Sequence, residues 1–241
     1  MNAIRGRARA CSGRVALARS QRPPGSIMLI ELAMLSRRAI LGSGLGFAGS
    51  FLLSRTSLAK KTEKEPIPAL PLSFAVAEED SVAVQNETWI AEQIAEATRL
   101  FTPIGVTLRK VSARALPQAL ARLETRADRD ALAAHLEAKR INVMIVASLR
   151  DVDDPKLFRM GVHWRHRKTP AKHWVIVAAS ARPSTLAHEL GHFFGLGHSD
   201  VTDNVMSYSR TGVPPFFDAK QTERIESMAR MYLGSKLLEP A

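Results

Sequence analysis

Three histidines and one glutamate, crowded into eleven residues, are the part of this chain whose types and spacing can do chemistry. His188 and His192 are four residues apart, Glu189 directly follows His188, and His198 comes six residues after His192. On a helix, positions i and i+4 share a face, so His188 and His192 can present two imidazoles to one metal ion. Glu189 then sits beside the ion without needing to bind it. Gly195 falls where the helix should stop, because a residue without Cβ readily adopts the left-handed conformation that ends helices. The chain can double back there and bring His198 to a third ligand position. Three imidazoles leave a tetrahedral ion one open site, which marks a catalytic zinc centre; a structural one would be closed by a fourth protein ligand. Without a metal, three such histidines would leave several ring nitrogens in need of partners.

The elements that must position these residues are partly readable. A helix from residue 183 or 184 to 194 carries the first two histidines. Before it, residues 174–179 read as a buried strand and residues 161–164 as a short edge strand. Residues 141–149 are apolar enough for a strand buried on both faces. Upstream, residues 72–77 and 106–111 are strand candidates, and Asn86 can cap a helix over residues 87–101, with Trp89, Ile90, Ile94 and Ala97 at helical spacing. Residues 115–139, with Leu116, Leu120, Leu123, Leu132 and Leu136, read as one broken helix or two short ones. Asp218 begins a final amphipathic helix reaching about residue 232, with Ile225, Met228, Ala229 and Tyr232 inward. Alternating strands and helices predict an α/β fold with a mostly parallel sheet. No internal repeat is visible.

The chain has 241 residues, 46% hydrophobic and 24% charged, with a formal net charge of +11. That charge is unevenly placed. Residues 1–59 hold nine Arg against a single acid, Glu31, whereas residues 60–241 hold 25 bases and 22 acids, a net of +3. The basic balance therefore belongs to the N-terminus, and a nucleic-acid partner is not expected. The single cysteine is Cys11, so the remainder has no thiolate ligand, disulfide or cysteine nucleophile.

Ser36, Arg37 and Arg38 precede an apolar, glycine-interrupted run over residues 39–53, too short for a bilayer span of roughly 20 residues. Ser57 and Ala59 supply small residues three and one before a cleavage point. This resembles a twin-arginine (Tat) export signal, which implies a periplasmic or extracellular destination and no stable membrane span once the signal is removed. Residues 1–27 read as an over-extended gene start, with Met28 and Met34 as alternative starts. The expected organisation is a signal region over 1–59, a charged, proline-rich linker over 60–70 and one catalytic domain over 71–241.

The extended motif resembles the metzincin clan of zinc endopeptidases, whose signature His-Glu-x-x-His-x-x-Gly-x-x-His maps onto His188, Glu189, His192, Gly195 and His198 without substitution. The resemblance implies zinc, a mixed, mostly parallel twisted sheet with an active-site helix, and a small C-terminal subdomain ending in a helix. It also implies a Met-turn below the metal, for which Met206, eight residues past His198, is placed. Tyr208, two residues further, stands where astacin-like and serralysin-like members keep a tyrosine that can ligate zinc and swing to stabilise an oxyanion. Ser199, directly after the third histidine, points to no one subfamily. The activity implied is hydrolysis of protein or peptide substrates by a monomer, with Glu189 as general base, and a loss of activity below about pH 6 as imidazoles protonate. The edge strand is expected to line the cleft and pair with extended substrate. Beside it Arg165, His166, Arg167, Lys168 and Lys172 form a basic cluster that would favour acidic substrates, or simply a solvated loop.

Two alternatives remain at this stage. A gluzincin-type site would take Glu223 or Glu226 as third ligand and leave Gly195 and His198 without a role. A non-catalytic zinc-binding secreted protein would have no use for Glu189.

Overall fold

The computed structural model describes residues 65–241; the export signal, the alternative starts and the first residues of the linker lie outside them. The sheet is organised around β1 (Leu70–Glu79), whose first eight residues are all buried. Successive side chains on a strand point to opposite faces, and β1 uses both. Leu70, Leu72, Phe74 and Val76 enter one core, while Ala75 and Ala77 enter another. β1 lies between β3 (Leu108–Leu116) and β5 (Ile141–Val146), parallel to both, and β5 continues the parallel set to β8 (His173–Ala178). β7 (Gly161–Arg165) closes the far edge antiparallel to β8, and the two-residue β2 (Val82–Ala83) folds back on the end of β1. The result is a mixed, mostly parallel open sheet, as expected.

The larger core is roofed by helices. In α1 (Glu87–Phe101) the Asn86 side chain accepts the Trp89 N–H at 2.9 Å, the cap anticipated from sequence. Such a cap is worth about 1 kcal/mol. Ile90, Ala97, Leu100 and Phe101 of α1 pack on the sheet beside α3 (Thr185–Phe193). α4 (Ala219–Gly234) begins with a capping box between Asp218 and Gln221 and buries Ile225, Ala229 and Tyr232. The Tyr232 hydroxyl donates to the Phe193 carbonyl at 2.8 Å, tying the last helix to the end of α3.

Residues 115–139 depart from the helical reading. Leu116 ends β3, and Pro117 opens a 3₁₀ turn at Gln118–Leu120. β4 (Arg122–Leu123) follows, and α2 (Arg126–Ala131) has only six residues before a second 3₁₀ turn at Leu132–His135. The leucines there belong to separate elements: Leu116, Leu123 and Leu132 each reach the second core independently. The apolar run from Ile141 likewise divides, since β6 (Ser148–Leu149) leaves the main sheet to pair with β4.

Beneath α3 the neighbouring strands place two histidines in contact. His163 of β7 and His173 of β8 share a ring hydrogen bond (Nε2 to Nδ1, 2.8 Å), and His173 stacks on Phe193 at 4.3 Å. Burial, and for His163 the adjacent His173, holds their pKa values down from 6.5 to about 3 for His163 and about 4 for His173. The unfolded chain takes up these protons near 6.5 and the folded one does not. Stability is therefore complete above that pH and drains as pH falls toward 4. The melting temperature of the metal-free protein should drop between pH 7 and 5, and a His163→Leu/His173→Leu variant should show a shallower drop in the same scan.

Candidate metal centre

α3 starts without help from its own cap, for the Ser184 side chain makes no capping bond. The partner comes from α1: buried Gln93 accepts the Leu186 N–H at 3.2 Å and donates from Nε2 to the Arg182 carbonyl at 2.9 Å. Leu186, Ala187, Leu190 and Phe193 face the core, which turns His188 and His192 outward on the opposite stripe. The helix stops as anticipated. Gly195 has φ of 81°, its N–H returns to the His192 carbonyl at 3.0 Å, and the Leu196 N–H reaches the Gly191 carbonyl at 3.0 Å. The chain then reverses and presents His198.

The three rings converge. Among the described residues, His188, His192 and His198 form the one group of His, Cys, Asp or Glu able to share an ion, with ligand atoms all within 4.8 Å of one another. Neither Glu223 nor Glu226 joins it. His192 Nε2 and His198 Nε2 stand 3.1 Å apart. Nitrogens of a tetrahedral ion with bonds of about 2.0–2.1 Å are separated by about 3.3 Å, so this pair fits one. Ring orientation is set by main-chain carbonyls, which can only accept. His188 Nδ1 donates to Val205 O at 2.7 Å and His192 Nδ1 to Leu196 O at 2.9 Å, leaving both Nε2 atoms bare. Burial lowers the pKa of His188 to about 4 and also lowers that of His192, so both lone pairs are free at neutral pH. The donor set suits a divalent transition metal.

Glu189 lies beside the rings, only 5% exposed. Burial raises its pKa to about 8, while a hydrogen bond from the His163 main-chain N–H and the charge of Arg159 work in the opposite direction. Its place depends on Gly161, a residue the sequence motif does not include. A Cβ there would lie 2.7 Å from Glu189 Cγ and 2.7 Å from Thr185 Cγ2. Tyr208 is 72% exposed, and its hydroxyl stands 2.9 Å from His198 Nε2.

Met206 is fully buried under α3, its sulfur where a Cβ on Gly191 would be. The loop that carries it is tied at several points. Asn204 accepts the Met206 N–H at 2.9 Å and exchanges two side-chain bonds with Gln221. Asp203, at a positive φ of 62°, accepts from the N–H and hydroxyl of Thr211. Arg210 donates to the carbonyls of Asn204 and Val205, the latter being the acceptor that orients His188. The roles of Gly161 and Gly191 are absent from the sequence reading, because each comes from a distant segment; that of Arg210 is absent because it rests on the fold of its own loop.

The basic cluster after β7 does not survive as a unit. Arg167 pairs with Asp130 at 2.6 Å, and Asp130 also accepts from Trp164 Nε1. Lys172 lies in the turn between β7 and β8, and only Arg165 of the group lines the cleft.

No known protein family and no curated protein matches the chain. Among solved structures it is similar to mirolysin in complex with compound 9, at 11% identity over 73% of this chain and 100% of that one, with a TM-score of 0.53. It is also similar to Tannerella forsythia mature mirolysin in complex with a cleaved peptide, at 12% identity over 73% and 100%, with a TM-score of 0.50. A third likeness is to metalloproteinase-II from Bacteroides fragilis, at 18% identity and a TM-score of 0.49; there 69% of this chain spans 55% of that one. The mirolysin likenesses establish the fold, a mixed, mostly parallel α/β sheet with packed helices.

Gly191→Ala should cost about 1–3 kcal/mol in a denaturant melt, because the added methyl must displace a buried sulfur. The Gly191→Ala/Met206→Ala double variant should lose less than the sum of the two singles, the mark of a direct steric coupling.

Proposed function

We propose that this chain is a zinc-dependent endopeptidase, with His188, His192 and His198 as metal ligands and Glu189 as general base. The observation that carries the reading is the convergence of three imidazoles, two of them with Nε2 left bare by carbonyl bonds, beside a buried carboxyl that is not one of the cluster. The ion held there would supply Lewis acidity, acidifying a water and polarising the scissile carbonyl. Glu189 takes the proton from that water as its oxygen attacks the carbonyl carbon, and returns it to the amine nitrogen as the C–N bond breaks. The His163 N–H orients Glu189 and favours its carboxylate form, and the positive charge of an ion held beside it would do the same, against the burial that raises its pKa to about 8. The Tyr208 hydroxyl is assigned to the developing oxyanion, to which it donates a hydrogen bond. Met206 is assigned to the floor of the site, as the turn below the metal, and Gly195 to the reversal that returns His198.

The substrate is a protein or peptide laid along the outer edge of β7, which no other strand among the described residues pairs. Residues 71–241 are proposed to act as a monomeric catalytic domain, exported by the Tat-type signal over residues 1–59 to the periplasm or the medium, without a nucleic-acid partner. No helix among the described residues is long and apolar enough to cross a membrane.

Casein digestion by the purified mature protein tests this reading. Activity should be abolished by a chelator and restored by Zn²⁺, and Glu189→Gln should lose at least about 100-fold while keeping its metal. His198→Ala should lose the metal itself. A Glu189→Gln protein that digests casein normally would sink the assignment of the base, and retention of zinc by His198→Ala would sink the ligand set.

Binding needs all three rings neutral, so zinc content after dialysis should fall as the pH is lowered and the first ring to protonate leaves the ion. Burial lowers the pKa of His188 and of His192, so these two rings resist protonation more than a free imidazole does.

A further inference from the structure

The cleft around the three histidines has two lobes, and both are lined by arginines that outnumber their acids. The smaller lobe, about 280 Å³, lies on the His188 side, between the start of β7 and residues 207–210. Arg159, Arg182 and Arg210 line it, and among the described residues Glu189 is its only acid. Arg159 is neutralised by Asp151. Arg182 is exposed, and its guanidinium makes no hydrogen bond or ion pair with the described residues. Arg210 is half-buried and spends its donors on the carbonyls of Asn204, Val205 and Ser209, which orient the charge without cancelling it. Arg210 feels the charge of Asp203, whose oxygens are both engaged by Thr211.

The larger lobe, about 710 Å³, repeats the pattern. Arg126 is paired with Asp153, but Arg165 is exposed and unpaired among the described residues. Arg129 is only 3% exposed, lies over the Trp164 ring at 4.9 Å, donates to the Arg150 carbonyl at 2.6 Å and feels the charges of Asp151 and Asp153, while its Nε has no hydrogen-bond partner among the described residues. This is not a property of the whole surface, because residues 60–241 carry a net of only +3. The excess is concentrated where substrate would lie. A half-buried guanidinium bonded only to carbonyls, as Arg210 is, gains from an incoming anion, and charge-assisted bonds to carboxylate are among the stronger polar contacts.

We propose that the cleft selects acidic peptides, and that the smaller lobe takes a Glu or Asp side chain flanking the cleaved bond, held between Arg182 and Arg210. The exposed rims of Phe158 and Met160, both lining this lobe, offer apolar surface to the methylenes of glutamate. This selectivity deepens the peptidase reading and rests on it for the cleavage step alone; the binding preference stands on the lobe itself.

The test uses the zinc-loaded mature protein and matched peptides that differ only in Glu, Gln or Lys on either side of the cleaved bond. At one of the two positions kcat/KM for Glu should exceed that for Gln by about tenfold, and the ratio should shrink in 0.5 M NaCl as ~10 Å screening at 0.1 M shortens. Arg182→Gln should bring the ratio toward one, and Arg182→Glu should turn it in favour of Lys, with zinc content verifying that each variant folds. Cleavage with no preference for Glu, or a preference unmoved by Arg182→Glu, overturns the selectivity while leaving the peptidase reading intact. Fluorescence anisotropy of the same labelled peptides on the Glu189→Gln protein separates the two ideas. Tighter binding of the Glu peptide with no cleavage of any peptide by the parent supports the charged lobe and removes the peptidase. Equal binding of all three peptides with no cleavage removes both.

Discussion

Two imidazole N–H groups donating to two main-chain carbonyls decide the direction of everything at the centre. Once His188 is committed to Val205 and His192 to Leu196, each ring has one nitrogen left and one way to aim it. Both acceptors belong to segments that follow α3: Leu196 to the reversal at its end, Val205 to the loop below it. The helix supplies the rings, but the chain after the helix supplies their orientation. The same carbonyl that orients His188 also receives Arg210, so a guanidinium lies one bond behind a ring, and its positive charge holds the acceptor in place.

That arrangement demands close packing on both sides of α3. The helix passes β7 so tightly that Glu189 occupies the space a side chain at residue 161 would need, and it sits on Met206 so tightly that residue 191 can carry no side chain either. Interiors at such density respond to a single methyl. The loop under the helix is held by the Asn204–Gln221 amide exchange and by Asp203 in a left-handed conformation. Gln221 also closes the capping box of α4, so the start of the last helix and the floor of the site share one side chain. The C-terminal subdomain is thereby part of the site's foundation and not an appendage to it.

Much of this was legible in advance where the signal is local. Asn86 and Asp218 announce helix starts, the i, i+4 histidines announce a shared face, and a glycine after Phe194 announces the stop. The strands β5 and β8 were visible because a central parallel strand is apolar on both faces. Residues 115–139 misled because leucines at near-helical spacing were distributed by Pro117 and the Thr125 cap among four short elements, each meeting the second core alone. Gly161 and Gly191 could not be read, since what excludes a Cβ there is a side chain 28 or 15 residues away. The His163–His173 pair was hidden by strand register. Gln93 did leave a trace: a polar residue within the apolar stripe of α1 that nothing else in that helix explains.

That glutamine has a mechanical consequence. Its amide is spent at both ends, one on the first turn of α3 and the other on the carbonyl of Arg182 just before it, across a buried interface. Any tilt of α1 must drag the histidine-bearing helix along or break two buried hydrogen bonds at once. The two helices and the sheet under them therefore behave as one stiff jaw. Any opening of the cleft has to come from the other jaw, built from the loop before β7 and from residues 207–210.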